Sequence, residues 1–142
     1  MSRFLGLDWG EKRTGVAVSD DRGVLAVGYA VWPTPEVFSR LIVTVREEDI
    51  GCIVVGYPLT LRGEVGPKAR EVDRFIAVLE ARGYSVSRWD ERYTTQDVSR
   101  NLSRLGISQR KQRGKIDMSA ATLMLQAYLD SLDAEGKENG GG

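Results

Sequence analysis

Histidine is absent from the 142 residues. A His general base, imidazole ligation of a metal and a Ser-His-Asp triad are therefore excluded within this chain. The lone cysteine, Cys52, cannot form an internal disulfide. Its place in "IGCIVVG" reads as a small buried hydrophobe, not a reactive thiol. That usage fits a reducing compartment, so a cytoplasmic location is expected. The N-terminus lacks a basic-flanked apolar segment, so no secretory signal is expected. No apolar run approaches the roughly 18 residues of a membrane span, so no membrane partner is expected either. Net charge is missing too, since 20 basic residues balance 20 acidic ones.

That balance hides a segregation. From Val98 to Ile116 stand Arg100, Arg104, Arg110, Lys111, Arg113 and Lys115, with no acid among them. Such a local positive field can recruit a polyanion to a neutral molecule. Hydrophobic residues make up 42% and charged residues 28%, the balance of a globular protein with one sizeable core. A single domain over residues 1–133 is expected, with 134–142 as a disordered tail.

Phe4–Asp8 and Thr14–Asp20 read as a hairpin around a glycine-containing turn, and Gly23–Pro33 as a third meander strand. Thr34 followed by Pro35 is the pattern of an N-cap opening a helix to about Glu48. "IGCIVVGYP" is the β-branched run of a strand covered on both faces. Gly66-Pro67 opens a helix with Ala69, Val72, Phe75, Ile76 and Leu79 at helical spacing, ended by Gly83. "YSVSRWDER" is the fifth strand, and Thr94-x-x-Asp97 a capping box for a helix ending near Gly106. A loop, "ISQRKQRGK", and a last helix from about Met118 to Leu132 complete the chain. The order βββαβαβαα specifies an α/β layer fold: a mixed five-stranded sheet with helices on both faces.

In open sheets of this kind ligands gather beyond the carboxyl ends of the strands. Asp8 closes the first strand, Asp90 and Glu91 close the fifth, and Asp117 precedes the last helix in the register of Ala121, Met124 and Tyr128. Taken singly, Asp117 reads as an N-cap, and Asp90 or Glu91 as surface charges paired with Arg88 or Arg92. Asp8 resists that reading, because a carboxylate closing an apolar strand is costly to bury without a partner. Gathered at one edge, the acids would repel unless a cation sat between them. Oxygen-only ligation favours Mg²⁺ or Mn²⁺. Two such ions about 3.5–4 Å apart support phosphodiester hydrolysis without histidine. Gly6, Gly10 and Gly15 serve the turn or leave space for a phosphate near the backbone.

Four blocks, "LGLDWGEKRTGVAVSD", "IVVGYPLTLRGEVGPKAREVDRF", "DERYTT" and "RKQRGKIDMSAATLMLQAYLD", resemble in order those of the YqgF family, also called RuvX. The resemblance runs from Phe4 to about Leu132. It implies a ribonuclease H-like fold and a nuclease that matures the 5′ end of pre-16S ribosomal RNA or resolves Holliday junctions. It also implies catalytic, metal-binding acids at Asp8, Glu91 and Asp117, with Asp90 supporting. Lys12, Arg13, Arg92, Arg110, Lys111 and Arg113 match expected phosphate contacts. Tyr57 and Thr60 depart from the leucine and asparagine expected there.

Two other classes share part of the pattern. An actin- or hexokinase-like phosphotransferase also has an Asp-x-Gly hairpin, but it binds nucleotide between two such domains. A non-catalytic nucleic-acid-binding factor would gain nothing from three acids beside a phosphate. A resolvase makes two matched cuts and so requires a homodimer, for which Trp32 or the apolar residues of the third strand are candidates.

Overall fold

A computed structural model describes residues 2–93 and 120–139, with side chains described as far as Asp133. The helix expected from Thr94, the basic loop with Arg110, Lys111 and Arg113, and Asp117 lie outside the described residues. The described elements are β1 (Arg3–Asp8), β2 (Arg13–Ser19), β3 (Ala26–Pro33), α1 (Val37–Glu47), β4 (Ile50–Tyr57), α2 (Pro67–Ala81), β5 (Val86–Asp90) and α3 (Ala120–Asn139). One sheet holds the strands in the order β3-β2-β1-β4-β5. β1, β2 and β3 pair antiparallel, while β4 and β5 run parallel to β1, as the meander-then-crossover reading requires.

Strand periodicity decides what each face carries. Leu5, Leu7, Val16, Ile53 and Val55 point to one face and are buried against Val37 and Leu41 of α1 and Val72, Phe75, Ile76 and Leu79 of α2. Ala17, Ala26 and Val54 point to the other, under Ala121, Met124, Leu125 and Leu129 of α3. β1 divides its side chains in the same way. Leu5 and Leu7 belong to the α1/α2 face, so Phe4, Gly6 and Asp8 belong to the α3 face. A Cβ placed on Gly6 would lie 2.9 Å from Leu125 Cβ, and one on Gly15 3.4 Å from Ala121 Cβ. These two glycines therefore make room for α3 rather than for a phosphate. Gly10 serves the turn, where an added Cβ would strike the Arg13 carbonyl.

α2 ends as its sequence indicates. Gly83 adopts φ 94°, its N–H reaches the Glu80 carbonyl, and the Tyr84 N–H reaches that of Leu79, a Schellman closure. Among the described residues no helix is long and apolar enough to cross a membrane.

Several boundaries differ from expectation. Thr34 does not cap a helix: Thr34–Glu36 is a 3₁₀ turn and α1 starts at Val37. The Thr34 hydroxyl instead donates to the Gly10 carbonyl at 2.6 Å and meets the Thr14 hydroxyl at 2.9 Å, tying the β1–β2 turn to the end of β3. β3 begins at Ala26, not Gly23, because the Asp20 carboxylate accepts from the Val24 and Leu25 amides and prolongs the turn. α3 runs past Leu132 to Asn139, into the stretch expected to be tail, since Ala134, Glu135, Lys137 and Glu138 are good helix formers. Cys52 is half-buried, with its sulfur 3.6 Å from the Ser87 hydroxyl. Trp32, a candidate for a subunit contact, is only 4% exposed and belongs to the core, because the bulge between Val16 and Ala17 turns it inward.

Candidate active site

Asp8 ends β1 on the α3 face, flanked by strands that carry no side chain beside it. On one side it pairs with Gly15 of β2, where an added Cβ would stand 3.7 Å from Asp8 Cβ. On the other, the β1–β4 register ends at Leu7↔Val55, so Gly56 is the next β4 residue along from Asp8. Gly56 pairs with Trp89 of β5, and Glu91 lies two residues further on, on the same face. The glycine matters because Glu91 folds back across it. A Cβ on Gly56 would collide with Glu91 Oε1 and come within 3.1 Å of its carboxyl carbon. Gly56 is thus the opening through which Glu91 reaches Asp8.

The two carboxyl groups are half-buried and hydrogen-bonded to each other. Burial raises Asp8 above the ordinary carboxylate range, against the lowering effects of the Glu91 hydrogen bond and the Lys68 charge. Burial, the Asp8 charge and the shared hydrogen bond push Glu91 up to about 7. One proton is therefore held between the two carboxyls. Among the described residues the opposing charge comes from Lys68, in the first turn of α2.

Asp90 points elsewhere. Its carboxylate takes three side-chain hydrogen bonds from Arg92, two from Nε at 3.0 and 2.9 Å and one from Nη2 at 2.6 Å, besides the Arg92 amide at 3.0 Å. These contacts hold Asp90 below the usual carboxylate range. The pairing with Arg92, open as an alternative from the sequence, is the one observed. Arg92 in turn rests on the loop after β4, with Nη1 3.1 Å from where a Cβ on Gly63 would be. Gly63 has φ 82°, and its N–H closes on the Thr60 carbonyl. Tyr57, one of the two departures from the family pattern, donates its hydroxyl to Asp73 of α2 at 2.7 Å.

Lys12 and Arg13 are exposed at the mouth of the β1–β2 turn, at the same end of the sheet as Asp8. With Val31 and Pro33 they line a cavity of about 350 Å³. The structure thus brings Asp8 and Glu91 into contact and sets Asp90 apart with Arg92. No cluster of three or more carboxylate or thiol ligands occurs among the described residues. Two participants escaped the sequence reading, Gly56 and Lys68. Each leaves a trace: a glycine interrupting a β-branched run signals close approach, and a lysine in a helix's first turn opposes the dipole.

Comparison with known proteins places the chain. The profile of the RuvX family, described as Holliday junction resolvase, matches residues 2–131. A relative from Syntrophus aciditrophicus, named "Putative pre-16S rRNA nuclease", is 43% identical over 139 residues, covering 94% of this chain and 91% of the relative. One of the same name from Geobacillus thermodenitrificans is 42% identical over 135 residues, covering 91% and 98%. In three dimensions the chain resembles Thermus thermophilus RuvC solved with a Holliday junction substrate, with TM-score 0.53 and 12% identity over 99% of this chain and 97% of that one. That likeness concerns the fold, which is ribonuclease H-like as expected. On the sequence match from residue 2 to residue 131 and on these relatives, the chain belongs to the RuvX (YqgF) family.

Proposed function

We propose that the protein is a metal-dependent endonuclease that hydrolyses phosphodiester bonds in structured nucleic acid, working in the cytoplasm on the 5′ end of pre-16S ribosomal RNA. The observation that carries this reading is the Asp8–Glu91 pair, two half-buried carboxyl groups in contact at the carboxyl ends of β1 and β5. Such a pair is stable without a cation only by keeping a proton. The donors fit a hard divalent ion, being oxygen alone in a chain without histidine. Asp8, Glu91 and Asp117 would hold Mg²⁺ or Mn²⁺, with Asp117 supplied by the chain entering α3. Gly15 lies against both Asp8 and Ala121 of that helix, which favours this third ligand. When bound, two such ions would activate water and stabilise the leaving oxygen.

The chain's own residues supply the rest. Asp8 is fixed by its strand and Glu91 by its path over Gly56, so the carboxylates are placed before substrate arrives. Lys12, Arg13, Arg110, Lys111 and Arg113 bind phosphates along the nucleic acid. Arg92 shares its charge with Asp90 and, as a phosphate contact, acts at the edge of the loop containing Gly63. The relatives named for pre-16S rRNA favour the ribosomal substrate.

The second reading, Holliday junction cleavage, has the family description and one structural observation behind it. Among the described residues β3 is an edge strand, with Val27 52% and Val31 58% exposed, an edge on which a two-fold dimer could form. Cleavage of a pre-16S 5′ leader and a four-way DNA junction, side by side in Mn²⁺, tests the choice. Preferential cutting of the leader is expected. Paired symmetric nicks in the junction alone would transfer the assignment to the resolvase reading.

A further inference from the structure

Lys68 is the unexplained charge of this site. It lies in the first turn of α2, where a cation opposes the helix dipole and which holds no acidic residue. It is exposed, and among the described residues it makes no ion pair. Its position follows from the helix. Lys68, Val72 and Phe75 form one stripe at spacings of four and three residues. Val72 and Phe75 are buried against the sheet. Trp9, the residue after Asp8, packs on Phe75 with ring centroids 6.2 Å apart, which clamps the end of β1 to this stripe. α2 follows β4 and so begins at the carboxyl end of the sheet. The stripe therefore carries Lys68 past the strand ends to the edge where Asp8 and Glu91 stand. The Lys68 charge acts on both carboxyls, yet among the described residues no ion pair joins it to either.

We propose that Lys68 is a substrate-contact residue of this site, its ammonium binding a non-bridging oxygen of the phosphodiester presented to Asp8 and Glu91. The inference rests on the nuclease reading and extends it to a residue outside the acidic set. An ammonium suits the task, since it is a compact point charge with three donors on a flexible stem. It would also counter the repulsion between a phosphate and two carboxylates before any cation is shared among them.

Opposite shifts in two affinities separate this role from a structural one. Wild type, Lys68→Ala and Lys68→Arg are titrated with Mn²⁺ alone by calorimetry. They are also titrated with labelled pre-16S 5′ leader in Ca²⁺ across a salt series. Lys68→Ala should bind Mn²⁺ about 3- to 10-fold tighter, because a like charge has left the acids. The same variant should bind the leader several-fold more weakly, with the salt slope reduced by about 0.7–0.9. Lys68→Arg should restore both, and unchanged melting temperatures should show all three folded. If wild type cleaves but the two Lys68→Ala affinities stay put or move together, the Lys68 assignment falls and the nuclease reading stands. If wild type cleaves neither leader nor junction in Mn²⁺, the nuclease reading falls and the Lys68 assignment with it.

Discussion

Burial and the neighbouring Asp8 charge push Glu91 up to about 7 in the folded chain, from an ordinary value of 4.5. Between those values the folded state binds more protons than the unfolded one, so stability falls as pH rises. The contribution is complete below the unfolded value and is lost as pH passes through the folded one. Metal-free protein should lose roughly 1–2 kcal/mol between pH 5 and 8, after allowance for solvent screening of a half-exposed pair. Urea melts across that range should show the slope, and Glu91→Gln should flatten it; an equal slope in the variant would separate Glu91 from the effect. Gly56→Ala tests the same contact sterically. The new Cβ needs the space Glu91 occupies, so cleavage should fall at least about tenfold while stability drops about 1–3 kcal/mol. Wild-type turnover in Gly56→Ala would mean that Glu91 acts from another position. Asp8 was legible in the sequence because an acid at the end of an apolar strand has few bland explanations. Choosing Glu91 over Asp90 needed the family pattern, since neighbouring acids differ only in which face of the sheet they take.

Elements built on strict periodicity were the legible ones. The strands follow from apolar β-branched runs and the turn residues between them, and α2 from the 3.6-residue period with Pro67 and Gly83 at its ends. What failed was local chemistry with a distant competitor. Thr34 has the sequence of an N-cap, but the Gly10 carbonyl, 24 residues away, takes its hydroxyl. The docking of α3 likewise depends on contacts that no local pattern announces. Gln126, only 4% exposed, accepts from the Ala26 amide at 2.9 Å and donates to the Val24 carbonyl at 2.8 Å, joining α3 to the start of β3. Gln126→Leu leaves the buried Ala26 amide without this partner and removes the tie to the part-buried Val24 carbonyl, so a loss of about 1–3 kcal/mol is expected in chemical denaturation. A change under about 0.5 kcal/mol would show that water replaces the amide. Gly6→Ala should loosen the same helix from below, because its Cβ would press on Leu125.

At the scale of the whole molecule, the sheet order and the helices on both faces agree with the layer fold read from the order of elements. The subunit question reads differently in three dimensions. Trp32 is spent on the core, which leaves Val27 and Val31 on the β3 edge. Should the protein dimerise there, Val31→Lys would shift its sedimentation to the monomer, since a charge on an open edge opposes strand pairing. Wild type already sedimenting as a monomer would remove this edge, and with it the support for matched cuts. The central claim is that the acidic pair is a metal-dependent hydrolytic centre. Its most direct test is the rate at which wild type and Asp8→Asn cut the pre-16S 5′ leader in Mn²⁺ and in EDTA, with both proteins shown to melt alike. Cleavage by wild type in Mn²⁺ alone, lost by at least about a thousandfold in Asp8→Asn, is the expected result. Equal cleavage by the variant, or by wild type in EDTA, would contradict it.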